Sequence, residues 1–191
     1  MRMNALKGLA VVAFLAAGTL GSGAAQQPAN RPGLKCKLVL PAYPDGGVIP
    51  ARYTCVDPNA SSPALGWSNP PRGTVSFAVI MHDTEAAPGK GSMDVTHWIF
   101  WNVPANLTWI PPDVKPGTSP DGIAQGQNTH KVEGYLPPCP PPGSFPHHYI
   151  IELYALDTKL DLPAGSSRAD LLKAMDGHVI GKSAYVGRFS R

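Results

Sequence analysis

Five side chains in this 191-residue chain have the types and placing that binding or proton chemistry requires: Asp83 and Glu85 in one polar loop, His97 at the head of the next apolar run, and His147-His148 behind a proline-rich stretch. Imidazoles together with loop N–H groups can hold an anion such as phosphate or carboxylate. A neighbouring Asp can orient a His through its other ring nitrogen, or accept a hydrogen bond from a cationic headgroup. The plain alternative for any one of these histidines is a satisfied, half-buried residue. A metal is the second option, since His97, His147 and Asp83 could form a three-ligand face with one open position, but no His-x-His or His-x-x-x-His pair anchors it. Nucleophilic catalysis is weaker still: the chain has no Gly-x-Ser-x-Gly elbow, Ser92 is the serine near Asp83 and His97 by sequence, and Cys139 reads better as a half-cystine than as a thiol beside His147. No metal or cofactor is expected. Nor is an enzyme, because no activated nucleophile accompanies the histidines.

Groups of this kind need strand ends to hold them. The segment Phe77–Pro104 consists of two apolar runs around a polar loop broken by Pro88, Gly89 and Gly91, which predicts strands over Val75–His82 and Thr96–Val103 with Asp83 and His97 at their ends. The unbroken apolar character of the first marks a central strand. Gly134–Pro146, with prolines at 137, 138, 140, 141, 142 and 146, can be neither central strand nor helix and is expected to be a stiff loop delivering His147 to a strand over His147–Leu156. Strands are also expected at Lys35–Leu40, at Val48–Thr54 as an edge interrupted by Pro50, and at Ser183–Phe189. Leu65–Ser68 is too short to assign. Pro104–Gly134 has no sustained period and reads as a long surface excursion. One helix is expected, about three turns long, with Ser167 as N-cap, Asp170 at N3, Leu171, Leu172 and Met175 as its stripe and Gly177 at C′. The fold class is therefore all-β dominated: two antiparallel sheets in a Greek-key-like β-sandwich, with one short helix near the C-terminus.

Composition bounds the rest. With 43% hydrophobic and 15% charged residues the chain can bury a sizeable core, and 22 Pro with 20 Gly favour short strands and loops over helices. Residues 1–25 carry Arg2 and Lys7, an apolar stretch from Leu9 to about Leu20, and small residues at Gly23 and Ala25, the pattern of a secretory signal peptide. The apolar run is shorter than the ~20 residues of a spanning helix, so stable membrane insertion is not expected. A flexible mature N-terminus over 26–33 and a single domain over 34–191 follow. Without Arg2 and Lys7, 14 Lys and Arg face 13 Asp and Glu, a net charge of +1, and no basic run interleaved with aromatics supports nucleic-acid binding. In an oxidising, periplasmic or extracellular compartment, Cys36, Cys55 and Cys139 make one disulfide and one thiol, with three pairings open.

Several motifs together resemble the phosphatidylethanolamine-binding protein family, in its bacterial Raf-kinase-inhibitor-like branch: Asp83-Thr-Glu-Ala-Ala-Pro88, His97-Trp98 with Trp101-Asn102, and Gly134-Tyr135 through Pro137-Pro-Cys-Pro-Pro-Pro-Gly143 to His147-His148-Tyr149. Ile49–Cys55, Ser62–Trp67 and Leu153–Asp157 add to a likeness running from about Leu38 to Phe189. The resemblance implies a two-sheet β-fold with a small anion pocket where the two main motifs meet. On this chain it assigns the pocket to Asp83, His97, His147 and Tyr149, with Pro140, Pro141 and Gly143 as its rim and Trp98 in its wall. Relatives accept phosphate-like groups there, phosphorylethanolamine among them. The likeness also favours Cys55–Cys139 as the disulfide.

Two departures stand out. The loop after Asp83 is one residue longer than the usual Asp-Pro-Asp-Ala-Pro, which puts the role of Glu85 in question. His148 replaces the usual Arg, so an ion pair made by that Arg would be lost. The expected function is binding of a small anion or phospholipid headgroup by a periplasmic or secreted protein. The alternative is an inhibitor of a protease or kinase, acting through a surface loop such as Pro111–Lys131.

Overall fold

The computed structural model describes residues 36–191 with the exception of 118 and 120; the expected signal peptide at 1–25 and N-terminal segment at 26–33 lie outside the described residues. In chain order the strands are β1 (Lys37–Val39), β2 (Gly47–Val48), β3 (Leu65–Ser68), β4 (Ser76–Asp83), β5 (Val95–Pro104), β6 (Trp109–Ile110), β7 (Ala124–Gln125) and β8 (His147–Leu156), followed by helix α1 (Arg168–Met175) and strand β9 (Val179–Phe189). They form a three-stranded sheet in the order β1-β3-β6 and a six-stranded sheet in the order β2-β9-β8-β4-β5-β7. β4 lies between β5 and β8, antiparallel to both, and every one of its residues is buried. Its continuous run of apolar residues is what a strand covered on both faces requires.

Period-two alternation sorts β4 and β8 into two cores. Phe77, Val79 and Met81 of β4 and Tyr149, Ile151 and Leu153 of β8 face the small sheet, meeting Leu38, Leu65, Trp67 and Ile110. Ala78 and Ile80 of β4, with Ile99, Trp101 and Leu156, face outward and are covered by Leu171 and Met175 of α1. The Ser167 hydroxyl accepts from the Asp170 N–H while the Asp170 carboxylate accepts from the Ser167 N–H, so the expected capping box is present. The helix has eight residues, about two turns at ~3.6 residues each, rather than three. It stops at Asp176, and Gly177 takes the left-handed conformation at φ 80°.

Three expectations need correction. The edge strand at Val48–Thr54 is only β2, because the chain tightens at Pro50, which has no N–H for a ladder, into a 3-10 turn over Ala51–Tyr53. β2 also pairs in parallel with β9, so the large sheet is not wholly antiparallel. The excursion over Pro104–Gly134 contributes β6 to one sheet and β7 to the other. Two-residue strands in loop-like sequence carry no period to read.

Two bulges in β5 matter for the site. Phe77 pairs with Val103 and Val79 with Phe100, which inserts a residue where Asn102 has φ 61°. Met81 then pairs with Trp98 and His82 with Thr96, leaving His97 as an extra residue opposite β4. A bulge breaks the alternation of faces. His97 and its neighbour Trp98 can therefore both serve the space between the sheets.

Candidate functional site

Asp83 ends β4, and its pairing with Tyr149 brings β8 alongside. The His147 Nδ1–H donates to Asp83 Oδ2 at 2.7 Å. The other oxygen, Oδ1, accepts from the backbone N–H groups of Glu85 at 3.0 Å and Ala86 at 3.3 Å, so one carboxylate shapes its own loop and orients the imidazole across the sheet. His97 comes in from the bulge, with its ring centroid 5.1 Å from that of Tyr149 in an edge-on arrangement. The His147 ring lies nearly parallel to that of Tyr149, with centroids 6.5 Å apart. Asp83, His97, His147 and Tyr149 are thus gathered at one end of the space between the sheets.

The protonation of His97 follows from its partner. Its Nδ1 lies 2.7 Å from the Leu136 carbonyl, which only accepts, so Nδ1 carries the hydrogen. Burial pushes the imidazole pKa down, against the upward pull of the Leu136 carbonyl and the Asp83 carboxylate. The ring is then neutral with a lone pair on Nε2, and that Nε2 is buried without a hydrogen-bond partner. The Tyr149 hydroxyl is likewise buried; the Asp83 carboxylate lies near it but not in hydrogen-bonding geometry, and burial first, then Asp83, raises its pKa so that it stays protonated. Buried polar atoms without partners are scarce in folded proteins and costly. Of the atoms in this state among the described residues, these two sit on neighbouring rings.

The two departures from the family pattern meet each other. Glu85 Oε1 accepts from His148 Nδ1 at 2.7 Å and Oε2 from the His148 backbone N–H at 2.7 Å. Burial pulls the Glu85 pKa up, but these bonds and one from Thr84 outweigh it and hold the carboxyl below its usual range. Where the usual Arg would stand, His148 hydrogen-bonds the acid of the longer loop.

The proline loop reaches the cluster at both ends, through the Leu136 carbonyl and through His147. Pro140 is buried, and Pro141 and Gly143 are exposed. Cys139 is disulfide-bonded to Cys55, with Cα atoms 5.3 Å apart, and Cys36 is a buried free thiol. The Gly143 N–H donates to the Arg191 carbonyl at 3.0 Å, and the Arg191 guanidinium lies 3.3 Å from Cys139 Sγ, so the chain end braces the rim. Trp98 stands apart from the histidines: its indole donates to Gln125 Oε1 at 2.8 Å and lines a separate cavity.

Among the described residues the group able to converge on a metal is Asp83, Glu85 and His147, whose ligand atoms lie within 4.8 Å of one another; it differs from the His97-containing set expected from sequence. All four carboxylate oxygens of this trio already accept from N–H donors. Asp83 Oδ2 and Glu85 Oε1 each accept one such bond and keep a lone pair free.

A second polar cluster had no signal in the sequence. His82, adjacent to Asp83, places Nδ1 2.5 Å from Asp94 Oδ2 and Nε2 3.5 Å from Glu152 Oε2. Asp94 also binds Arg168 at the head of α1, and Glu152 binds Lys182 at 2.5 Å and the Tyr154 hydroxyl at 2.9 Å. Its members come from five places in the chain, brought together by strand register.

Comparison with known proteins agrees with this architecture. The family model described as phosphatidylethanolamine-binding protein matches residues 40–190. The UPF0098 protein of Methanothermobacter thermautotrophicus is 44% identical over 151 residues, 78% of this chain and 95% of that one. The crystal structure of the phosphatidylethanolamine-binding protein homolog CT736 of Chlamydia trachomatis superposes with a TM-score of 0.73 at 31% identity, covering 82% of this chain and 97% of the other. That of Escherichia coli YbcL gives 0.72 at 28%, covering 82% and 98%. With that extent of match in sequence and fold, this chain belongs to the phosphatidylethanolamine-binding protein family.

Proposed function

We propose that the chain is a binding protein, not an enzyme, and that the cluster Asp83–His97–His147–Tyr149 takes a small oxyanion or the phosphate of a headgroup such as phosphorylethanolamine. The observation that carries this is the pair of buried, unpartnered atoms, His97 Nε2 and the Tyr149 hydroxyl, on rings 5.1 Å apart. A phosphate oxygen would accept from the Tyr149 O–H. His97 Nε2 offers a lone pair, so it needs either a ligand that keeps a P–O–H or a proton gained on binding. A phosphate monoester, which has no P–O–H as its dianion, must gain one proton on either route, so its affinity rises as pH falls, whereas inorganic phosphate keeps a P–O–H as HPO4²⁻ and needs none. An amino group on the ligand would find the Asp83 and Glu85 carboxylates close by.

Calorimetry with inorganic phosphate and phosphorylethanolamine at pH 5.5, 7 and 8, in two buffers of different ionisation enthalpy, tests the reading. Saturable heat is expected with both ligands, and with phosphorylethanolamine it should strengthen toward low pH with a buffer-dependent enthalpy that reports proton uptake. Absence of heat with both ligands at every pH, or heat unchanged in His147→Ala and His97→Ala, removes it.

We further infer a periplasmic or secreted location. The apolar leader at 1–25 and the Cys55–Cys139 disulfide, a bond that persists in oxidising compartments, support it. No helix of the described residues is long and apolar enough to cross a membrane.

A further inference from the structure

A second concavity, of about 490 Å³, opens between the two sheets, walled by Trp98 and Phe100 of β5, Trp109 and Ile110 of β6, and Leu107 and Val114. None of Asp83, His97, His147 and Tyr149 lines it. The volume lies in the ~300–1,000 Å³ range of small-molecule sites. Its strand-borne wall is firmly held: Trp98 and Phe100 are each 1% exposed and Ile110 4%. Trp109 lies against β3 because residue 66 is glycine, where an added Cβ would come within 3.0 Å of the indole. That leaves the Trp109 ring 47% exposed.

Of the polar side chains in the lining, Gln125, Asp113 and Lys115 hold one another or the backbone, the Ser119 hydroxyl accepts from the Ile123 N–H at 3.2 Å, and the Asp121 carboxylate adds a charge. Gln125 is 2% exposed; its amide oxygen accepts from the Trp98 indole N–H at 2.8 Å and its amide nitrogen donates to the Lys115 carbonyl at 2.5 Å. Both Asp113 carboxylate oxygens accept from the Lys115 ammonium at 2.8 Å. A polar or charged occupant would leave its water partners for a wall of carbon. An apolar one would gain by burial alone. Large aromatic side chains beside a roomy space whose buried amide, Gln125, is satisfied have the character of apolar ligand sites, which engineered cavities of ~150 Å³ already display by taking up benzene.

We propose that this cavity is a binding site for an uncharged apolar molecule, independent of the histidine cluster. The test uses the uncharged fluorophore N-phenyl-1-naphthylamine, with Trp98 and Trp109 as energy donors in the wall. Native protein is expected to take up one probe per chain saturably. 1-Dodecanol should displace it, and saturating phosphorylethanolamine should not. Val114→Phe and Ile123→Phe, which add bulk to the lining, should each weaken uptake at least tenfold with the unfolding midpoint retained, and His147→Ala should bind as the native chain does. The proposal fails if native protein shows no saturable uptake or dodecanol does not compete. It also fails if both filling variants fold and bind normally, or if phosphorylethanolamine displacement or loss in His147→Ala locates the probe at the histidines. The competition arms use native protein, so they decide the question even where a filling variant does not fold.

Discussion

Tyr149 concentrates the argument about the site in one oxygen atom. Its hydroxyl is buried without a partner, a situation that costs about 1–3 kcal/mol in a folded protein. Tyr149→Phe is therefore expected to unfold at an equal or higher temperature in calorimetric scans, while phosphate affinity falls roughly tenfold. Lower stability with unchanged affinity would show the oxygen to be structural. Asp83→Asn makes a complementary case. The amide oxygen can still accept from Glu85 and Ala86, but its NH₂ cannot accept from His147, so the imidazole must place its hydrogen on Nε2. Nitrogen NMR of the His147 ring should report that change of tautomer.

At the scale of elements, cross-strand and helix-cap contacts hold the outer face. Burial raises the Glu152 pKa, but His82 beside it and bonds from Lys182 and Tyr154 prevail and bring it from 4.5 to about 2. A depressed carboxyl contributes stability that is complete above its unfolded pKa and fades as pH falls through the folded one. The effect is then present above about pH 4.5 and lost toward pH 2, on the order of 3 kcal/mol at ~1.4 kcal/mol per unit. Urea midpoints measured from pH 6 to pH 2.5 should fall steeply in the native chain and less steeply in Glu152→Gln. His97 acts in a higher window: its folded pKa is lowered, so the unfolded chain takes up a proton first and stability declines as pH drops below about 6.5. For α1, loss of the capping box in Ser167→Ala should cost about 1 kcal/mol in urea denaturation, with phosphate binding unaffected.

For the whole molecule, the Cys55–Cys139 bond spans 84 residues and ties the segment after β2 to the proline loop. Closing so long a loop removes entropy from the unfolded chain, and its loss is expected to cost roughly 2–4 kcal/mol. Urea unfolding of Cys55→Ser/Cys139→Ser, or of native protein with and without reductant, measures it directly. The proline rim carries this bond, so the double variant should also bind phosphate more weakly. A normal affinity would mean that the prolines and the Arg191 contact hold the rim unaided.

Long, strongly patterned elements were legible from residues alone. An unbroken apolar run announced β4, alternation running into apolar residues announced β8, the Ser167–Asp170 spacing announced α1, and the prolines between 134 and 146 ruled out anything but a loop. Those local patterns also put Asp83, His97 and His147 at strand ends, because burial period and proline geometry are written into neighbouring residues. Contacts between distant residues were not written there. The bulge that admits His97, the meeting of Glu85 with His148, the parallel β2–β9 pair and the His82–Asp94–Glu152 cluster all depend on register between strands far apart in the chain. Register is settled only when both faces of the large sheet are packed. The sequence by itself determined which residues could form the site and which strands would carry them; the tertiary structure alone decided which atoms remain without partners inside it, since hydrogen bonding is a property of the packed whole.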